Sequence, residues 1–177
     1  VKMFQLPIRT FDSEHSTGSS ELGQLPDWNL NDLYTATDAK ELIRDLNWLE
    51  KECNEFAKSY EGKLHTLSDK EMLTCIVRNE KISSISGRII SYAGLLYYQK
   101  TTDADRAKFL SDMQEKITVF TTKLVFFSLE INSLEDEFLD KLCTKNDQLA
   151  RYKPVFEKIR AMTVSYTHLT LPTISRV

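Results

Sequence analysis

The sequence predicts an all-α fold: an antiparallel bundle of about five long amphipathic helices, the first three running up, down and up. Three observations carry this expectation. Apolar residues recur at alternating steps of three and four over long stretches, which lays them along one helix face. Helix-start signals precede these stretches and short polar turns separate them, as antiparallel neighbours require. No segment shows the apolar–polar alternation of a half-buried strand. The chain has 177 residues, 41% of them apolar, which suits one domain with its own core.

Residues 1–24 close on HSTGSSELG and hold no sustained periodicity, as expected of a flexible leader. From Leu25 to Thr37 the apolar residues Pro26, Trp28, Leu30, Leu33 and Tyr34 are irregularly spaced. That pattern predicts an extended segment laid over the core. The first helix is expected from about Ala39 to Tyr60, capped by Asp38 with Glu41 completing a capping box. Leu42, Leu46, Leu49, Cys53, Phe56 and Tyr60 form its stripe, and Gly62 supplies the stop. A second box, Ser68 with Glu71, opens a helix from Asp69 to about Gln99, with Leu67 and Met72 placed to form a hydrophobic staple. Its later stripe is Ile82, Ile85, Ile89, Tyr92 and Leu96. Leu73, Ile76 and Val77 are out of phase with it, so the packing partner should change near Asn79.

The third helix starts after Thr102, with Asp103 and Asp105 suited to the positive end of the helix dipole. Leu110, Ile117, Leu124 and Ile131 recur every seven residues, as do Met113, Phe120 and Phe127. A fourth helix, capped by Ser133, carries Phe138, Leu139 and Leu142, and Pro154 suits the first turn of a fifth that reaches about Ala161. The stretch 163–177, TVSYTHLTLPTISRV, holds one charged residue, Arg176. It resembles translated sequencing-adapter read-through, so it is expected to be non-native, with the natural protein continuing differently past Met162.

The net charge of −3 with interspersed signs argues against a nucleic-acid partner, which selects a basic stripe. No apolar run approaches the roughly 20 residues of a membrane span. No secretory pattern is visible at the N-terminus, and Cys53, Cys75 and Cys143 lie far apart within helical patterns. They read as reduced, buried thiols in a cytoplasmic protein, in preference to a catalytic cysteine.

No residue is assigned a catalytic or metal-binding role, and substrate-binding residues are left unassigned. His15, His65 and His168 lack partners at metal-ligand spacing, and no G-x-S-x-G elbow occurs. Ser83, Gly87, Ser91 and Gly94 make a ridge of small residues, read as a close helix crossing in preference to a surface along which a peptide backbone passes. Tyr92, Tyr97, Tyr98, Phe120, Phe126 and Phe127 at helical spacing are read as core before a peptide groove. Phe126 lies beside its stripe rather than on it. Glu130, Glu135, Asp136 and Glu137 are read as a solvated helix start before an attractor of basic substrates.

Four stretches carry a family resemblance: LPDWNLNDLY at Leu25–Tyr34, YEGKL at Tyr60–Leu64, SYAGLLYYQKTTD at Ser91–Asp103 and LVFFSLEINSL at Leu124–Leu134. Together they resemble the N-terminal helical region of oligoendopeptidase F, a thimet-oligopeptidase-like zinc metallopeptidase, over residues 25–162. The resemblance implies a mostly helical shell around a channel for short peptides, with a zinc-bound water attacking the peptide bond. That chemistry sits on H-E-x-x-H, which this chain lacks. The chain is therefore expected to be inactive alone, without a cofactor of its own, and to partner a C-terminal catalytic domain. The alternative from periodicity is a stand-alone, spectrin-like interaction module. No internal repeat supports an array.

Overall fold

A computed structural model describes residues 28–169, with side chains through Ala161. Among the described residues every regular element is helical. The chain runs α1 (Lys40–Tyr60), a 3₁₀ turn (Leu64–Thr66), α2 (Asp69–Gln99), α3 (Ala104–Thr122), α4 (Val125–Ser133), α5 (Asp136–Lys145), α6 (Asp147–Ala150) and α7 (Lys153–Leu169). The fold is all-α, with seven helices among the described residues where about five were expected.

The first two helices follow their sequence signals closely. In α2 the Ser68 side chain accepts from Glu71 N while Glu71 reaches back to Ser68 N at 2.9 Å, a complete capping box. Met72 is fully buried, and Leu67 packs half-buried against the same core. Gly62 takes φ +75°, the left-handed conformation that ends α1 at little cost for glycine alone. The cap of α1 is Ala39 rather than Asp38, and it makes no side-chain bond. Ala39 N is tied to Ala36 O at 3.2 Å and Ala39 itself is buried, so the preceding turn sets the start. The described part of the entry segment forms turns rather than an extended strap. Leu33 N and Tyr34 N both donate to Leu30 O, which rolls Leu30, Leu33 and Tyr34 onto the core.

The third stripe is broken where an unbroken helix was expected. Thr121 and Thr122 hydroxyls donate to Ile117 O and Thr118 O, at 2.8 and 2.7 Å, and such back-bonding bends helices. Leu124 N then bonds Thr121 O, three residues back, and α4 leaves in a new direction from Leu124. The seven-residue repeat survives the break, because Ile117, Phe127 and Ile131 all reach the core. Ser133 does not cap α5: its hydroxyl donates to Glu130 O at 2.8 Å, closing α4, and Glu135 stands at the α5 start. Asn146, unflagged by the sequence pattern, caps the short α6 by accepting from Gln148 N and Leu149 N. Pro154 sits in the first turn of α7, and the helix runs to Leu169 rather than stopping near Ala161. No glycine or proline interrupts it before Pro172.

Packing follows from these faces. Asp45 of α1 meets Arg88 of α2, Trp48 meets Lys81 and Glu52 meets Arg78, so the pairing runs in reverse order along the two helices. On the next seam Leu96 meets Arg106 and Tyr92 meets Phe109. The partner of α2 does change near Asn79. Asp69 and Glu80 bond Asn146 and Tyr152 from the α6 region, whereas α3 packs on the later half. Phe56 is the hub of the core, fully buried, with ring centroids of Tyr60, Phe127 and Phe126 at 4.9, 5.8 and 6.0 Å.

Candidate functional site

The residues singled out by chemistry do not converge. His65 stands exposed on the 3₁₀ turn; His15 and the His168 side chain lie outside the described residues. Cys53, Cys75 and Cys143 are buried and unbridged. Burial pushes the Cys53 thiol up to about 11 and Cys75 to about 12, and raises Cys143, the reverse of an activated nucleophile. The folded state thus holds thiols that the unfolded chain ionises near 9.0. Protons leave the unfolded state first, so stability from these groups is intact below pH 9 and is lost as pH climbs toward 11–12. Urea titrations across that window should show a falling midpoint, and Cys75→Ala should flatten the decline.

The ridge of small residues is not a helix crossing. Ser83, Gly87 and Ser91 are exposed; a Cβ on Gly87 would meet nothing within 4 Å, and one on Gly94 only the Tyr98 ring at 3.8 Å. Ser91 and Gly94 border α3 across a shallow cleft shared with Leu110 and Gln114, and Ser83 lines the groove beside α4 and α7. The aromatic set divides. Tyr92 and Phe127 are core, Tyr97, Phe120 and Phe126 are half-buried, and Tyr98 is 64% exposed. Phe126, beside its stripe, joins the Phe56 cluster.

The acidic group divides: Glu135, Asp136 and Glu137 are exposed at the start of α5, as the sequence reading expects, whereas Glu130 departs from it. Glu130 is no solvated helix start. Its carboxylate accepts from Gly62 N at 2.6 Å and Leu64 N at 3.2 Å, clasping the α1–α2 turn from α4. Asp136 pairs with Arg160 of α7, whose guanidinium also donates to Leu134 O. Glu130→Ala should cost about 2 kcal/mol, the range for hydrogen bonds to a charged acceptor, and Glu130→Gln less. Amide exchange at Gly62 and Leu64 reads the clasp directly; unchanged protection in Glu130→Ala would remove it as an anchor.

The strongest polar constellation was invisible to motif reading. Asp45, 5% exposed, accepts from the Tyr34 hydroxyl at 2.9 Å and from Arg88, while Arg88 Nε donates to Tyr34 Oη at 3.1 Å. Burial first, and the Asp45 bond second, push the Tyr34 hydroxyl up to about 12, so it is a donor rather than a base near neutrality. The trio ties the entry segment to α1 and α2. One signal was present: Asp45 falls three residues after Leu42 and four before Leu49, on the buried stripe itself. A second pair, Arg78 Nε to Glu52 at 2.7 Å, sits against the rings of Tyr60 and Phe56 at 5.5 and 5.8 Å.

An apolar concavity of about 530 Å³ lies where α2, α4 and α7 meet. Ile82, Leu124, Val125, Phe127, Val155 and Ile159 line it, and Val125 and Val155 are 55% and 44% exposed. Leu129, one turn beyond Val125 on α4, is also exposed. Among the described residues, no three His, Cys, Asp or Glu side chains gather as a metal site would require, and no helix is long and apolar enough to cross a membrane. No family model, curated protein or solved structure matches this chain.

Proposed function

We propose that this chain is the N-terminal, non-catalytic helical region of an oligoendopeptidase F-like zinc metallopeptidase that cuts internal bonds of short peptides. One observation carries the reading: the four stretches that bear the resemblance meet in pairs in space. In LPDWNLNDLY, the Tyr34 ring stands 5.4 Å from that of Tyr92, and Trp28 O accepts from Gln99, both within SYAGLLYYQKTTD. In LVFFSLEINSL, Glu130 binds Gly62 and Leu64 of YEGKL.

In the complete enzyme, zinc would activate a water, with the Glu of H-E-x-x-H as general base. His65, the histidine whose side chain is described, does not fit such a site, being exposed with no grouped partner among the described residues. No catalytic step runs through this chain, which forms part of the channel wall that admits short peptides and excludes folded proteins. The apolar groove between α2, α4 and α7 is the seat for the catalytic domain that follows α7 in the full-length chain. Cytoplasm is the compartment that keeps its three cysteines as thiols, and neither nucleic acid nor membrane is a partner. The spectrin-like alternative calls for three long uninterrupted helices, and the turn at Lys123–Leu124 departs from it.

The test is the uninterrupted reading frame past Met162, recovered from source DNA by long-read sequencing. The reading expects H-E-x-x-H downstream, with a later Glu to complete the zinc ligands. A native frame that ends near Val177 overturns it and leaves a small helical domain that acts by binding.

A further inference from the structure

The geometry points to an oxyanion-binding cleft at the corner where α1 ends and α2 begins, built for a phosphate or carboxylate group of a small ligand and independent of the peptidase reading. The cleft measures about 520 Å³ and carries Lys63, Lys70 and Arg78 against a single carboxylate, Glu71, in its lining. In the lining itself cations outnumber acids, in a chain whose net charge is −3; Glu52 stands behind Arg78 and Glu130 is engaged by the Gly62 and Leu64 amides. The Glu71 carboxylate does not compete for them. It is committed to Ser68, bonding both N and Oγ at 2.9 and 2.7 Å, and those bonds hold its carboxyl below the usual carboxylate range.

The cations come from two directions. Lys70, Thr74 and Arg78 step by four along α2, one turn above another on one face. Lys63 faces them from the turn before α2, and that turn is held by Glu130. Arg78 is oriented before any ligand arrives: Glu52 accepts from its Nε, the Tyr60 hydroxyl is a further hydrogen-bond partner, and the Tyr60 and Phe56 rings flank it. Lys63 Nζ donates to Lys58 O and Ser59 O at 3.1 and 3.2 Å, two of its three hydrogens. The Lys70 ammonium has no ion pair or hydrogen bond among the described residues, while the Lys70 carbonyl accepts from the Thr74 hydroxyl at 2.9 Å. Tyr60 and Leu67 give the cleft an apolar side against which the body of a ligand can rest.

Backbone amide shifts of the chain would be followed by NMR during titration, at constant ionic strength, with inorganic phosphate, with a short peptide bearing a free C-terminus, and with the same peptide amidated. The expected result is a saturable shift confined to residues around Lys63–Arg78, weakened about tenfold by Lys70→Gln, the loss of one charge-assisted contact. Lys141→Gln on α5, away from the cleft, should leave it unchanged. Saturation by phosphate alone assigns a phosphorylated ligand; saturation by the free but not the amidated peptide assigns a carboxylate. Both support the cleft. Equal weakening by the two lysine variants, or no saturable shift with any probe, overturns it.

Discussion

Phe56→Ala lowers stability by about 4 kcal/mol, within the range for removing a buried aromatic side chain. Phe56 is fully buried and is the one ring in contact with Tyr60, Phe126 and Phe127 together, so its loss opens a void bounded by α1 and α4. The rigid α1 backbone cannot move in to fill it, because Cys53 and Tyr60 on either side are also buried. The void also removes the ring that flanks the Arg78 guanidinium. For a domain of this size the melting midpoint should fall by about 10–15 °C. Phe126→Ala, half-buried at the cluster's edge, should cost less than half as much. Thermal and urea unfolding of both variants test this; a Phe56→Ala cost below about 1 kcal/mol would mean the cluster is not the hub described.

Asp45→Ala is expected to cost about 2–3 kcal/mol, less than breaking a fully buried ion pair. The discount is physical: the Arg88 side chain is 40% exposed and water can recover much of its charge. The Tyr34 hydroxyl has no such refuge, since Tyr34 is 3% exposed. Asp45→Asn keeps an acceptor for Tyr34 and should lose less. Tyr34→Phe combined with Asp45→Ala should be less than additive, because once Asp45 is gone the hydroxyl is a buried polar group short of its partner. Full additivity in that double-mutant cycle would show the trio to be three independent contacts. The consequence is local: without this tie, the entry segment from Trp28 to Thr37 should lose amide protection before the helices do.

Helix α2 shows how much was legible in the chain. Its start at Asp69, its capping box and its end at Gln99 all follow from residues within a turn of the boundary, since capping and periodicity are local physics. Gly62 belongs with it, because a positive φ at a helix end selects glycine whatever the surroundings. Helix α3 shows where local reading stops. A seven-residue repeat records which side chains turn inward and is silent on whether the axis bends between them. The Thr121–Thr122 pair marked the bend, but hydroxyls that bond back to the helix look like ordinary polar positions in a periodic pattern.

The candidate sites divide along the same line. The burial of the cysteines could be read from their place within helical patterns, Cys53 on the apolar stripe itself, as could the core roles of Tyr92 and Phe127. The ridge through Gly87 and Gly94 could not, because small residues at a crossing and small residues facing open solvent are spaced alike. Glu130 was misread for a related reason. Its partners are backbone amides 66 and 68 residues earlier, and backbone groups leave no trace in a pattern of side chains.

By itself, then, the sequence determined the helical class, the faces that turn inward, the capping of α2 and the want of a catalytic motif, all of which depend on neighbours within a few residues. Only the tertiary structure decided that Asp45 is buried with Tyr34 and Arg88, that Glu130 holds the α1–α2 turn, and that the Gly87 ridge and the α2–α4–α7 groove are left uncovered by the described residues. The physical reason is that a charge or an apolar face acquires its energy from what stands opposite, and what stands opposite is chosen when the helices pack.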